Sequence, residues 1–312
     1  MPRIATLTMN PTIDVSYDVT RVQHTHKMRT TNEQYAPGGG GINVARVFKR
    51  LGGEAYSFYL AGGATGATLE RLLAEFDLGC CRVPIAGTTR IASAVHELET
   101  GKEYRFTPSG PLIEEAEWQA CLDALSDALP LDALVLSGSL PHGVPADFYA
   151  RAAKLATAHG TPVVLDSSGE ALMAGLEAGG LLLVKPSQGE LAALVGRELE
   201  SAEEIGAEAM RFVETGKARL VAVTMGHLGA VLARAEGVYF LPAPEIEAKS
   251  AVGAGDSFVA GMVHALANGR NELDAFCMGM AAGSAAVLSP GTGLANRDDI
   301  ERLYEQICSC RV

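Results

Sequence analysis

The chain lacks the marks of a secreted, disulfide-stapled or membrane-spanning protein. Its six cysteines, Cys80, Cys81, Cys121, Cys277, Cys308 and Cys310, form no CxxC pair and no secreted-domain spacing. Free thiols in a reducing compartment are therefore expected. Residues Met1–Asn10 contain no signal-like apolar segment, and no uncharged apolar run reaches the length of a membrane span. A cytoplasmic location with no membrane partner is the expectation. Positive charge is also scarce: 25 Lys and Arg stand against 37 Asp and Glu, a net charge of −12. A general nucleic-acid binder would show a basic face, so nucleic acid is not expected as a partner. A small anionic substrate is not excluded, because a local Arg/Lys cluster attracts one against the net field. Repeats, low-complexity tracts and linkers are absent as well, so residues 1–312 read as one domain.

What is present is a chain with 48% hydrophobic and 20% charged residues, able to bury a large core. Short apolar runs alternate with segments of helical spacing. Strands are expected at Ile4–Met9, Ala55–Leu60, Cys80–Pro84, Ala133–Ser137, Pro162–Asp166, Leu181–Val184 and Leu220–Thr224. Helices are expected at Val44–Leu51, Thr68–Phe76, Glu115–Leu129, Pro145–His159 and Ala202–Thr215, and after Ala254 at Gly255–Ala267, Glu272–Leu288 and Arg297–Cys310. Such alternation implies right-handed crossovers and a mostly parallel sheet covered on both faces, a three-layer αβα sandwich. Two half-polar segments, about 15–36 and 88–107, break the rhythm and predict a small separate β-sheet serving as a lid.

Two glycine motifs carry chemistry. In Ser250-Ala251-Val252-Gly253-Ala254-Gly255-Asp256-Ser257 a tight turn enters an apolar helix. Its unpaired N–H groups and dipole suit an anion, and Asp256 falls in the first turn. A phosphate cradle beside a carboxylate base is what phosphoryl transfer to an alcohol needs; a glycine loop with an Asp cap is the plain alternative. In Pro37-Gly38-Gly39-Gly40-Gly41-Ile42-Asn43 backbone amides can approach a ligand, and Asn43 offers both donor and acceptor to sugar hydroxyls. Neither motif is a GxGxxG dinucleotide fingerprint, which disfavours a dehydrogenase, and neither is a Walker loop. Asp14, just beyond the first strand, is either a grip on polyol hydroxyls or a turn-forming Asx residue.

With these motifs the chain resembles the ribokinase-like carbohydrate kinases of the phosphofructokinase B family, nearest their hexose-phosphate branch. The likeness runs through Gly38–Ala45, Leu51-Gly52-Gly53, Ala61–Gly66, Leu136–Pro141, Val184-Lys185-Pro186 with Glu190, and Val252–Asp256, and spans essentially the whole chain. It implies an ATP-dependent kinase that phosphorylates a ketohexose phosphate, fructose 6-phosphate first, with tagatose 6-phosphate or fructose 1-phosphate as alternatives. A non-catalytic sugar-phosphate sensor is the rival from another class.

By the same resemblance Asp256 is the base, and Gly253, Ala254 and Gly255 form the anion hole. Asp14, Gly39, Gly40 and Asn43 hold the sugar, while Lys27, Arg90, Arg105 and Ser139 hold its existing phosphate. Lys185, Thr224, Gly226 and Gly229 line the ATP, and Ala281, Ala282 and Ser284 flank its adenine. Glu190 and Ser187 organise Mg²⁺ through water; Ser187 stands where the family usually has Asn. Ser250, Val252, Ala286, Ser289 and Gly291 surround a monovalent cation such as K⁺. The exposed lid strands are expected to pair into a homodimer.

Overall fold

The computed structural model describes residues 3–289 and 291–309. Its strands are β1 (Arg3–Thr8), β2 (Thr12–Val19), β3 (Thr31–Gly38), β4 (Glu54–Ala61), β5 (Gly79–Pro84), β6 (Arg90–Glu97), β7 (Lys102–Phe106), β8 (Ala133–Ser137), β9 (Val163–Asp166), β10 (Leu181–Val184), β11 (Ala218–Thr224), β12 (Ala230–Arg234) and β13 (Gly237–Leu241). Its helices are α1 (Gly40–Arg50), α2 (Gly63–Leu73), α3 (Glu115–Ala128), α4 (Phe148–Ala158), α5 (Gly169–Ala178), α6 (Gln188–Val195), α7 (Ala202–Glu214), α8 (Ala254–Ala267), α9 (Glu272–Val287) and α10 (Arg297–Ser309).

Nine strands form the central sheet in the order β13-β12-β11-β10-β9-β8-β1-β4-β5. Pairing is parallel from β11 to β5, while the β11–β12 and β12–β13 pairs are antiparallel, so that among the described strands of this sheet β12 runs against the rest. Consecutive strand residues point to opposite faces: Ile4 enters one core, with Phe48, Phe258, Met262 and Phe276 of α1, α8 and α9. Ala5 and Leu7 enter the other, with Cys121, Phe148, Leu172 and Ile205 of α3, α4, α5 and α7. The result is the expected ribokinase-like three-layer αβα sandwich. Among the described residues no helix is long and apolar enough to cross a membrane.

The lid is a four-stranded sheet, β3-β2-β6-β7, in which β2 and β6 pair in parallel. Ile13 and Val15 pack one of its faces against Leu69 and Leu73 of α2. Register places Arg90 beside Thr12, Ala92 beside Asp14 and Arg105 beside Ala94, so these side chains share the other face.

Several elements differ from the sequence expectation. The lid strands cover 12–38 and 90–106 rather than 15–36 and 88–107, because β2 begins directly after the turn at Pro11. Strands β12 and β13 and the short helices α5 and α6 carry too little periodicity to stand out. The last helix is described to Ser309, and Cys310 lies outside the described residues. Helix α1 begins at Gly40, inside the glycine run, and packing explains why. A Cβ on Gly40 would sit 2.2 Å from Ser137 Oγ, and one on Gly41 2.6 Å from Thr8 Oγ1 and 2.8 Å from the Leu7 carbonyl. The first turn of α1 thus lies against the ends of β1 and β8, a proximity any side chain would prevent.

Replacing Gly41 with Ala should therefore destabilise the fold. Overpacking against strand backbone costs about 1–3 kcal/mol, more than the roughly 1 kcal/mol that Ala gains over Gly in a helix. Urea unfolding should show a lower midpoint at unchanged slope. An equal or higher midpoint would show that the strand ends yield freely.

Candidate active site

The cradle at the start of α8 depends on Gly253. This residue caps the helix in a left-handed conformation, φ 69°, and a Cβ there would fall 2.3 Å from Leu294. Asp256 follows in the first turn, anchored because Phe258, Val259 and Met262 of the same helix are buried. Its Oδ2 accepts a hydrogen bond of 2.9 Å from Asn43 Nδ2. Burial, and then the neighbouring Asp166, push the Asp256 carboxyl up to about 7, while Asn43 and Lys185 pull it down. A carboxyl poised near neutrality can accept a proton at working pH.

In front of Asp256 lies a cavity of about 170 Å³ lined by Asp14, Gly39, Gly40, Asn43, Arg90 and Arg105. Six of the eight residues assigned to the acceptor sugar therefore converge. Of the two alternatives left open for Asp14, the turn-forming Asx residue does not hold: it lies within β2, on the lid face that looks into the cavity. Its carboxyl is raised to about 6 by burial, opposed by Arg46, Arg90 and Arg105. Arg90 is held by two carbonyls, Nη2 to Asn10 at 2.7 Å and Nη1 to Pro108 at 2.8 Å, and its buried Nε has no partner. Arg105 is exposed at the cavity's rim.

The other two are placed differently. Lys27 is exposed in the loop between β2 and β3, not within a strand, and does not line the cavity. Ser139 lines a neighbouring groove with His142 and Glu170. It connects to the site through Asn10, whose Nδ2 reaches Ser139 Oγ at 3.4 Å while its carbonyl holds Arg90.

A second cavity, about 350 Å³, is lined by Thr224, Gly226, Gly229, Ala254, Gly255 and Ser284. The two cavities meet at the start of α8, with Gly253 and Asp256 facing one and Ala254 and Gly255 the other. The turn between β11 and β12 forms the floor of the second. Gly229 there has φ 123°, and a Cβ would fall 2.2 Å from the Leu241 carbonyl. On α9 the helical period turns Met280, Gly283 and Ser284 toward this cavity. Ala281 and Ala282, expected at the adenine, are instead fully buried in the core.

Lys185 lies beneath the cradle, where a Cβ on Gly255 would be 3.4 Å from its Nζ. It forms a buried ion pair with Asp166, 3.0 Å away at the end of β9. Burial alone would lower the Lys185 ammonium, but Asp166, Glu190 and Asp256 outweigh it and its pKa is raised. Asp166 is itself pushed up by burial in spite of Lys185. Asp166 escaped the sequence reading, although its place at a strand's C-terminal end was an available signal. Arg46 escaped it too, since nothing in a helical pattern reveals a buried cation.

Ser187 and Glu190 have a structural role that the sequence reading overlooked. Ser187 caps α6: its hydroxyl accepts from the Glu190 N–H at 3.3 Å, and Glu190 Oε2 accepts from the Ser187 N–H at 2.7 Å. Ser-x-x-Glu is the signature of this reciprocal capping box. The loops assigned to a monovalent cation do come together: the N–H groups of Lys249 and Ser250 both reach the Val287 carbonyl, at 2.7 and 3.4 Å. Ser250 Oγ, however, donates to Glu103 Oε2 on the lid at 3.0 Å and accepts from the Val252 N–H at 3.2 Å. Among the described residues no cluster of three or more carboxylate, imidazole or thiol groups could hold a metal ion by itself.

Removing the buried cation should expose the cost of its partner. Lys185→Met leaves Asp166 uncompensated, and unfolding at pH 7 should lose about 3–5 kcal/mol. The carboxyl's folded pKa is already raised, so it takes up a proton as pH falls and the penalty should shrink at pH 5. A loss independent of pH would show that the ion pair is not its source.

Comparison with known proteins places this geometry in context. The model of the pfkB family carbohydrate kinases matches residues 7–299. ATP-dependent 6-phosphofructokinase isozyme 2 of Mycobacterium tuberculosis is 42% identical over 307 residues, covering 97% of this chain and 89% of that protein. The isozyme 2 of Escherichia coli K12 is 39% identical over 304 residues, covering 97% of this chain and 98% of that protein. A crystal structure of phosphofructokinase-2 from Escherichia coli in complex with fructose-6-phosphate superposes with a TM-score of 0.93 at 37% identity, covering 99% of this chain and 100% of that one; the same protein has also been solved with potassium. The matched span includes both glycine-bearing helix starts and the carboxylate between the two cavities, and on that ground the chain belongs to the pfkB family of carbohydrate kinases.

Proposed function

We propose that this protein is an ATP-dependent 6-phosphofructokinase, transferring the γ-phosphoryl group of ATP to the free primary hydroxyl of fructose 6-phosphate. The observation that carries the reading is the meeting of the two cavities at residues 253–256, with Asp256 on the acceptor side and the Gly255 backbone on the donor side. Asp14 and Asn43 offer acceptors and donors to sugar hydroxyls, and the cations Arg90 and Arg105 across the same cavity suit the phosphate that the sugar already carries. The acceptor hydroxyl gives its proton to the Asp256 carboxylate as its oxygen bonds to phosphorus, and the bond from phosphorus to the ADP oxygen breaks. The first N–H groups of α8 and the Lys185 ammonium then face the charge on the moving phosphoryl group.

The residues fit the ions this chemistry uses. Mg²⁺ would arrive on the phosphates of ATP, with Glu190 and Asp166 reaching it through water, and it would neutralise phosphate charge. The carbonyls of residues 249–252, 286–289 and 291 would serve K⁺, a hard cation that prefers oxygen. The lid face that holds Ile13 and Val15 also exposes Tyr35, Ile91 and Phe106, which supports pairing of two lids in a homodimer.

A coupled assay across fructose 6-phosphate, fructose 1-phosphate and tagatose 6-phosphate tests the acceptor, since kcat/KM ranks them directly. Fructose 6-phosphate should lead. No turnover with any of them would favour a sugar-phosphate sensor.

If Asp256 is the base, Asp256→Asn should lower kcat by roughly 10²–10⁴-fold with little change in sugar affinity. In the wild type the base works only when unprotonated. With its carboxyl near 7 and that of Asp14 near 6, kcat/KM should fall as pH drops through 7 and more steeply below 6. A variant retaining more than half the wild-type rate would remove the assignment.

The cap at α6 offers a separate test. Asn caps a helix as well as Ser does, so Ser187→Asn should fold normally. Its longer amide adds a donor toward phosphate oxygen, and it should lower the free Mg²⁺ needed for half-maximal rate. Glu190→Gln keeps an acceptor for the Ser187 N–H but removes the charge, and should raise that requirement. Superimposable Mg²⁺ titrations of the three proteins would show that this element does not govern the metal.

A further inference from the structure

We propose that Arg46 is a positioning residue of this active site: its buried guanidinium fixes the orientation of the Asn43 amide that bonds Asp256, and ties that amide to the root of the lid. The catalytic consequence rests on the kinase reading above, whereas the positioning itself belongs to the protein without substrates.

Arg46 follows Asn43 by one turn of α1 and is only 6% exposed. Its Nη1 donates to Asn43 Oδ1 at 3.3 Å and to the Pro37 carbonyl at 2.8 Å. An amide has an accepting and a donating end, a guanidinium can only donate, and an ionised carboxylate can only accept. With Arg46 on its oxygen, Asn43 must present its NH₂ to Asp256, as the 2.9 Å bond shows. The flipped amide would set donor against donor at Arg46 and acceptor against acceptor at Asp256. Because Pro37 belongs to β3, one guanidinium anchors the lid strand and the partner of the base together.

A merely structural reading fits less well. The Arg46 Cζ lies 4.3 Å from the centroid of the Phe76 ring, yet its Nε is buried without a partner. Burial, then the nearby Arg50, lower its pKa to about 10, with Asp14 opposing, so it stays charged near neutral pH. A half-satisfied buried charge is a poor way to pack a helix on a strand, and an apolar side chain would do that as well. The charge matters at a distance too. Asp14 on β2 faces Arg46 from α1, Arg90 from β6, Arg105 from β7 and Asp256 from α8, and of the three cations Arg46 favours its ionisation most.

Arg46→Met keeps an unbranched, flexible stem and removes both charge and donors. In the protein without substrates, the ¹³C carboxyl signals of Asp14 and Asp256 should both titrate at higher pH than in the wild type. Asp14 loses its strongest cation, and Asp256 loses a hydrogen bond that its carboxylate accepted from a fixed amide. With substrates, kcat should fall roughly 10²-fold, the order expected for misplacement of a catalytic group, with the KM for ATP unchanged. In an Asn43→Ala background the same substitution should cost little more, since the amide it orients is gone. Arg46→Lys keeps the charge, but its ammonium sits one bond nearer the backbone than the Nη1 that bonds both Asn43 and Pro37; Asp256 alone should then shift, and this variant decides if the methionine protein does not fold. Unmoved titrations, or a full loss of kcat added to that of Asn43→Ala, would overturn the assignment. A wild type with no sugar-phosphate turnover would overturn the kinase reading instead, while the titrations would still decide the role of Arg46.

Discussion

A single hydrogen bond, Asn43 Nδ2 to Asp256 Oδ2, joins residues 213 positions apart, and the rest of the site is arranged so that it can form. Asn43 lies in the first turn of α1, and Asp256 in the first turn of α8. For both starts to reach one point, α1 must lie close against the ends of β1 and β8. The glycines at 40 and 41 permit this and nothing larger would. Helix α1 is then tied down along its length: the Ile42 N–H to Thr8 Oγ1 at 3.0 Å, Arg46 to Pro37, and Arg50 Nη1 to the carbonyls of Leu294 and Ala295 at 2.8 and 2.9 Å. It spans the lid root, the acceptor cavity and the loop beside α8. A glycine-rich segment that looks loose in sequence is among the most restrained in the fold.

The electrostatics follow from depth. The chain carries a net charge of −12, yet the site gathers Lys185, Arg46, Arg90 and Arg105 among Asp14, Asp166 and Asp256. Burial raises all three of these carboxyls, and the cations keep them from staying neutral altogether. Burial, and then Asp166, raise the Asp256 carboxyl to about 7 against an amide and a shared ammonium that pull it down. Asp166 has an ammonium of its own at 3.0 Å.

Much of this could be read in the residues, and the rest had a physical reason to stay hidden. The parallel sheet was plain in runs such as Leu134-Val135-Leu136, because strands buried on both faces have no polar positions to blur the pattern. Strand β13 alternates between half-exposed and exposed residues, and such an edge reads like a loop. Gly253, Asp256 and Asn43 were legible because their chemistry is local: a turn, a cap, an amide beside glycines. Asp166 and Arg46 were not, because their meaning lies in partners that only the fold supplies. Asp14 was found as a residue and misplaced as an element, since a turn at Pro11 looks the same whether the chain goes on as loop or as lid strand. Ser187 was read as a weakened metal motif, while the cap it makes needed no fold to be seen.

Besides its packing on α2, the lid is tied to the site by polar contacts at both ends. Arg90, on the lid, grips the carbonyl of Asn10 in the turn that joins β1 to β2, and Asn10 in turn reaches Ser139 beyond β8. At its other end the lid touches the donor side through Glu103 and Ser250. That second contact bears on the cation loop. The Ser250 hydroxyl donates to Glu103 and accepts from the Val252 N–H, which leaves one lone pair for an ion. The N–H groups of Lys249 and Ser250, both on the Val287 carbonyl, hold the same segment against the end of α9. One serine thus links the lid to the segment that leads into Gly253. The two cavities meet at that glycine, so under the proposed function the residues that would hold the sugar and those that would cradle the phosphate share one helix start.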